Sequence, residues 1–194
     1  MIISQIQIRT DVCLKKKLTD DYALHKFVYS LFPKEDNFQR TFLYRDKGMY
    51  HGNRIIILLS KNKPSFPSFV ECQSKEVPKQ LFEYSFYSFS ADLYPVVRKN
   101  GKEQRIEGID NIRKWFIKKS LNWGFQVIDD SLELSPIKIN SYISRNRKLI
   151  KQKVSFKCVI KVLDSSTFKK SFNKGIGRGR GFGFGLMEII PLEY

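Results

Sequence analysis

Residues 153 to 185 place the strictest demand on the fold. KVSFKCVIKVL alternates with the period of two that a half-buried strand requires: Val154, Phe156, Cys158, Ile160 and Val162 face one way, and Ser155, Lys157 and Lys161 largely face the other. DSSTFKKSFNKG then reads as a short capped helix that stops at Gly175. GIGRGRGFGFG, 175 to 185, has a glycine at every second position, six of the eleven in the chain, and the apolar run LMEII follows it as a strand. A flexible Gly-Arg tail trails into polar residues, whereas this stretch is held at both ends by regular elements. Its backbone is therefore expected to be confined.

The rest of the chain repeats that kind of pattern. IISQIQIR (2 to 9) reads as a strand, with Ile3, Ile6 and Ile8 apolar. TDDYALHKFVYSLFP carries a helix capped by Thr19 or Asp20 and ended at Pro33, with Leu24, Phe27, Val28 and Leu31 as its buried stripe. RTFLYR and RIIILLS are two strands joined by a turn containing Gly48 and Gly52. A short helix is expected near 66 to 72, then a long strand in QLFEYSFYSFSADLY. That order, β-α-β-β-α-β, is the ferredoxin-like arrangement. A second copy starts with a strand and turn in YPVVRKNGKEQRI. It continues through a helix in IDNIRKWFIKKSLNWG, with Ile112, Trp115 and Phe116 inward and Gly124 as its stop. The expected fold is α+β, two tandem ferredoxin-like units with antiparallel sheets, residues 1–92 and 93–194.

Charge narrows the function. With 35 Lys and Arg against 19 Asp and Glu, the chain of 194 residues carries a net +16 and attracts polyanions. Residues 138 to 181 hold thirteen of those cations and one acid, Asp164; such a block repels itself unless phosphates or solvent screen it. The segment lacks the long apolar face of an interfacial helix, so nucleic acid is favoured over a membrane surface. Cys13, Cys72 and Cys158 fit neither a disulfide framework nor zinc spacing. The N-terminus lacks the pattern of a signal peptide, and no run reaches the length of a membrane span. A cytoplasmic protein is expected.

The glycine stretch offers many N–H groups and few side chains to block approach, which suits phosphate contacts. Its order of helix, glycines, strand fits neither a Walker loop nor a dinucleotide fingerprint. The expected RNA-binding set is Lys174, Gly175, Gly177, Arg178, Gly179, Arg180, Gly181, Gly183 and Gly185, with Tyr29, Lys157 and Lys161 beside them. Phe182 and Phe184 either stack on bases or pack into the core. His51 lies in a turn and reads as a solvated surface residue. At helical spacing, Tyr22, His25 and Tyr29 project within about 60° of one another, beside the buried stripe. They are either catalytic groups or a helix flank covering the core edge. Acids are scattered and no Cys/His spacing suits zinc, so neither cofactor nor metal is expected. RNA cleavage here would rest on attack by a 2′-OH, with His25 as acid or base and Tyr22 orienting the nucleophile or donating to the phosphate.

YALHKFVYSLFP, RTFLYR and GIGRGRGFGFGLMEIIPL together resemble the CasE family of CRISPR-associated endoribonucleases, members of the RAMP superfamily. NIRKWFIKKSLNWGFQV and VSFKCVIKVLDSSTFKKSFNKGIG extend the likeness over nearly the whole chain. The resemblance implies a metal-independent enzyme that binds the stem-loop of each CRISPR repeat and cuts at the 3′ side of the stem base. The products would be a 5′-hydroxyl and a 2′,3′-cyclic phosphate or its opened form. Other Cascade subunits are the implied partners. It assigns catalysis to Tyr22 and His25, the glycine-rich loop to 175–185, and a basic loop residue to Arg180. One departure stands out: where many relatives read Arg-Ala-Asn-Pro, this chain reads SADLYP, with Ser90 and Asp92, and Arg98 and Lys99 are the nearby cations that could substitute. The competing reading is a RAMP-type RNA-binding subunit without activity, against which only the Tyr22-x-x-His25 pair speaks.

Overall fold

The computed structural model describes residues 1–33, 40–144 and 147–193. The elements run β1 (Ile2–Arg9), α1 (Thr10–Lys15), α2 (Asp21–Ser30), β2 (Phe42–Tyr50), β3 (Asn53–Ser60), β4 (Glu71–Glu76) and β5 (Phe86–Leu93). They continue with β6 (Val96–Lys99), β7 (Lys102–Arg105), α3 (Ile109–Leu121), β8 (Phe125–Val127), β9 (Glu133–Leu134), β10 (Lys138–Ser144), β11 (Arg147–Val162), α4 (Ser165–Lys174) and β12 (Glu188–Leu192). The first sheet has the order β2-β3-β1-β4 and the second β10-β11-β5-β12, with β8 and β9 also paired to β11. Every pairing is antiparallel. Both sheets have the strand order of a ferredoxin-like fold, so the fold is α+β, two such units in tandem.

In the first unit, Ile6, Ile8, Phe42, Tyr44, Ile56 and Leu58 meet Leu24, Phe27, Val28 and Leu31 of α2, the stripe that helical spacing predicts. In the second, one face of β11 and β5 packs Phe156, Ile160, Tyr87 and Phe89 against Ile112 and Phe116 of α3 and Phe168 and Phe172 of α4. Leu43 and Leu59 of the first sheet join that second core, and this shared packing ties the two units together.

Three expectations are corrected. No helix forms between β3 and β4. Pro64 and Pro67 each remove a backbone donor there, the Ser65 N–H donates instead to the Leu31 carbonyl at 2.8 Å, and Phe66 and Phe69 pack against the first core. The crossover is thus an irregular strap that ends in the exposed strand β4. Of the strand expected at 80–94, Phe86–Leu93 forms, but as β5 it lies between β11 and β12 of the second sheet. A division after residue 92 would cut through it; the sheets part in the connection between Glu76 and Phe86. The segment taken as the opening strand of the second unit is a separate hairpin, β6–β7, turned at Asn100 and Gly101 with φ of 51° and 76°, as a two-residue type I′ turn needs.

Candidate active site

Helix α2 begins where sequence chemistry puts it. The Asp20 carboxylate accepts the N–H groups of Tyr22 and Ala23, both at 2.8 Å, satisfying donors that the helix itself leaves open. With the apolar stripe turned to the core, Tyr22, His25 and Tyr29 fall along one flank. The His25 ring lies 6.0 Å from that of Tyr22 and 4.3 Å from that of Tyr29, centroid to centroid.

The glycine stretch is a closed loop with a hydrogen-bonded neck. Ile176 N–H donates to the Gly185 carbonyl at 2.9 Å, and Gly185 N–H donates to the Asp92 carbonyl at 2.8 Å. A single helical turn over Arg180–Phe182 forms its tip. Arg180 Nη1 reaches back to the carbonyls of Lys174 and Gly175 at 3.0 and 3.4 Å, capping the C-terminal end of α4. Phe184 is buried against Tyr94 and Val96, whereas Phe182 stacks on His25 at 4.8 Å. The loop backbone thus lies against α2, the helix that carries His25.

Contact between the two motifs is direct. His25 Nδ1 sits 2.7 Å from the Gly181 carbonyl. A carbonyl only accepts, so Nδ1 carries the proton and Nε2 of the neutral ring holds the lone pair. Burial pulls the pKa of His25 below the ordinary imidazole value; the bond to Gly181 works the other way, and the charges of Arg40 and Lys26 lower it further. Such a ring is a proton acceptor at neutral pH. A Cβ on Gly181 would stand 2.9 Å from the Tyr29 hydroxyl and 3.2 Å from Arg40 Nη1, the ends of two flexible side chains.

Beyond Phe182 stands a cation that sequence reading missed. Lys151 Nζ lies 5.2 Å from the centre of the Phe182 ring and 4.4 Å from that of Tyr94. Burial pushes its pKa down, against the opposing charge of Glu103. Nothing in a run of lysines marks one of them as the residue held on two rings. Lys157 and Lys161 lie further along the same strand. Lys157 is six residues from Lys151, about 20 Å at the rise of a strand, in the cleft between the sheets; Lys161 stands over Phe86. Neither is brought to His25. Arg178 pairs with Glu103 at 3.0 Å, and Lys174 is exposed at the end of α4.

A second cluster explains the SADLYP departure. Arg45 of β2 is 5% exposed and crosses between the sheets. Its Nη2 donates to Asp92 at 2.7 Å, and its Nη1 to Glu188 at 2.7 Å and to the Ser90 hydroxyl. Lys153 pairs with the other Asp92 oxygen at 2.7 Å, and the Ser155 hydroxyl donates to Asp92 at 2.6 Å. Burial alone would raise the Asp92 pKa, but Arg45 and Lys153 outweigh it and hold the carboxyl below its usual range. A cation does stand beside Ser90 and Asp92, contributed by the other sheet and enclosed, while Arg98 and Lys99 are exposed on the β6–β7 hairpin.

A family model described as CRISPR associated protein matches residues 1–191. No curated protein matches the sequence. Among solved structures, the CRISPR endoribonuclease Cse3 bound to a 19-nucleotide RNA aligns with TM-score 0.85 at 14% identity, over 98% of this chain and 100% of its own. Cas6e from Escherichia coli K-12 aligns with TM-score 0.73 at 20% identity, over 99% and 100%. A chain of a CRISPR RNA-guided surveillance complex in a pre-nicking state aligns with TM-score 0.74 at 15% identity, over 99% and 100%.

Proposed function

Since this chain belongs to the CRISPR associated protein family, whose model spans residues 1–191, we propose that it is an endoribonuclease that binds the stem-loop of CRISPR repeat RNA and cuts precursor RNA into guides. The observation that carries this reading is the 2.7 Å bond from His25 Nδ1 to Gly181, which joins a neutral imidazole to the loop expected to meet RNA.

In the proposed reaction His25 Nε2 removes the proton of the 2′-OH beside the scissile phosphate. The 2′ oxygen attacks phosphorus, the bond from phosphorus to the 5′ oxygen breaks, and that oxygen takes up a proton. A 2′,3′-cyclic phosphate and a 5′-hydroxyl result. Tyr22, stacked at 6.0 Å from His25, orients the nucleophile or donates to the phosphate. Lys151, held over the Phe182 ring, and Arg180 of the loop supply positive charge where charge builds up on the phosphate oxygens. The chemistry needs no metal. The fold shared with a surveillance-complex chain supports retention of the cut RNA within a Cascade assembly.

The test is cleavage of a labelled stem-loop from the host's own repeat in excess EDTA, comparing native protein with His25→Ala. The expected result is one cut with a cyclic-phosphate end by the native protein and a rate about 10²–10⁴-fold lower for the variant, with RNA binding nearly unchanged. Tight binding without cutting by either protein would leave a non-catalytic RNA-binding subunit.

A further inference from the structure

His25 lies between two basic surfaces. On one side are Lys151 and the β6–β7 hairpin with exposed Arg98, Lys99, Lys102 and Arg105. On the other, a groove of about 640 Å³ runs from the loop tip along the start of β2, lined by Arg40, Lys61, Asn173, Lys174 and Arg180 over a floor of Phe42 and Leu43. No carboxylate among the described residues lines the groove. Among the described residues none of its four cations makes an ion pair, and the buried Nε of Arg40 has no hydrogen-bond partner. The arrangement is costly without an anion: Arg180 is partly desolvated and feels the charge of Arg40. Its position is informative as well. Arg40 Nη1 borders Gly181, the residue that bonds to the imidazole, so the groove opens beside the reacting ring.

We propose that this groove holds the single-stranded RNA that follows the cut, on the 3′ side of the scissile phosphate, while the stem lies on the opposite basic surface. The assignment rests on the ribonuclease reading above. Its volume is that of a small-ligand pocket, which suits a few unpaired nucleotides rather than a duplex. The cations would meet successive phosphates, and Phe42 and Leu43 give the sugars and bases an apolar floor. Lys61 is exposed at the groove's wall, with its backbone N–H bonded to the Thr41 carbonyl at 2.9 Å, so its side chain can be changed without disturbing the core.

The experiment measures equilibrium binding of two uncleavable repeat stem-loops, both with 2′-deoxyribose before the scissile phosphate. One ends at that phosphate and the other continues into a short oligouridine flank. Native protein should bind the flanked RNA more tightly, and Lys61→Ala should lose roughly threefold to fivefold of that advantage. The slope of log affinity against log salt for the flanked RNA should fall by about 0.7 for the contact removed. Lys61→Arg should restore both. The truncated RNA is each protein's baseline. Equal affinity of native protein for the two RNAs overturns the groove assignment and leaves the ribonuclease reading intact, as does a Lys61→Ala loss of equal size on both RNAs. Failure of native protein to bind either stem-loop overturns both.

Discussion

His25 and Gly181, 156 residues apart in the chain, are joined by one hydrogen bond of 2.7 Å from ring to carbonyl. That bond fixes which nitrogen holds the proton, and the surroundings keep the ring neutral. As a base His25 must be unprotonated, so the cleavage rate rises with pH through its pKa. Burial and the charges of Arg40 and Lys26 set that value low, so the acid limb of the rate profile should have its midpoint below the ordinary imidazole value of about 6.5. Removing a nearby positive charge eases protonation, so Arg40→Gln should move the midpoint up. A single-turnover pH profile of both proteins checks the sign. An unmoved midpoint would separate the limb from His25.

Gly181 offers a second test, because its backbone does not adopt the left-handed conformation that several neighbouring glycines do. Gly181→Ala therefore introduces no backbone strain, only a methyl group where the Tyr29 hydroxyl and Arg40 stand. That methyl group displaces the ends of the Tyr29 and Arg40 side chains, the groups that stand beside the imidazole and the loop tip. Misplacement of this kind can cost on the order of 10²-fold in rate, with thermal stability little changed. Rate and melting temperature measured on the same preparation check it. Loss of both together would point to a folding defect instead.

Asp92 carries the third. Asp92→Asn leaves Arg45 enclosed with one ionised partner fewer, and should cost about 3–5 kcal/mol of stability, read from urea unfolding. The native carboxyl titrates below its usual range. Its contribution is therefore fully present above about pH 3.9 and is lost as pH falls through the depressed folded-state value. The difference between native and variant stability should shrink over that acid range.

The parts legible in sequence are those written in short-range chemistry. Asp20 and Asp164 cap their helices as their positions suggest, Gly175 ends α4, and the alternation of β11 marks its buried face. Tyr22, His25 and Tyr29 share a flank because helical geometry leaves them no other arrangement. What failed was long range. The pattern of residues 86–93 says strand, but nothing local says which sheet will accept it. Phe66 and Phe69 look helical in spacing until Pro64 and Pro67 are given their full weight. Arg45 reads as one more surface cation, since its partners Asp92 and Glu188 lie 47 and 143 residues away.

That last cluster constrains how the sequence can drift. Arg45 belongs to one sheet and Ser90, Asp92 and Glu188 to the other, so a charge lost on one side leaves an enclosed charge with fewer partners on the other. A lineage that replaces Asp92 with a neutral or basic residue regains stability by replacing Arg45 as well, and one that neutralises Arg45 by relaxing Asp92 and Glu188. Substitutions at these positions should be inherited as a set, and a hybrid joining the first sheet of one relative to the second sheet of another should be most stable when both parents carry the same set.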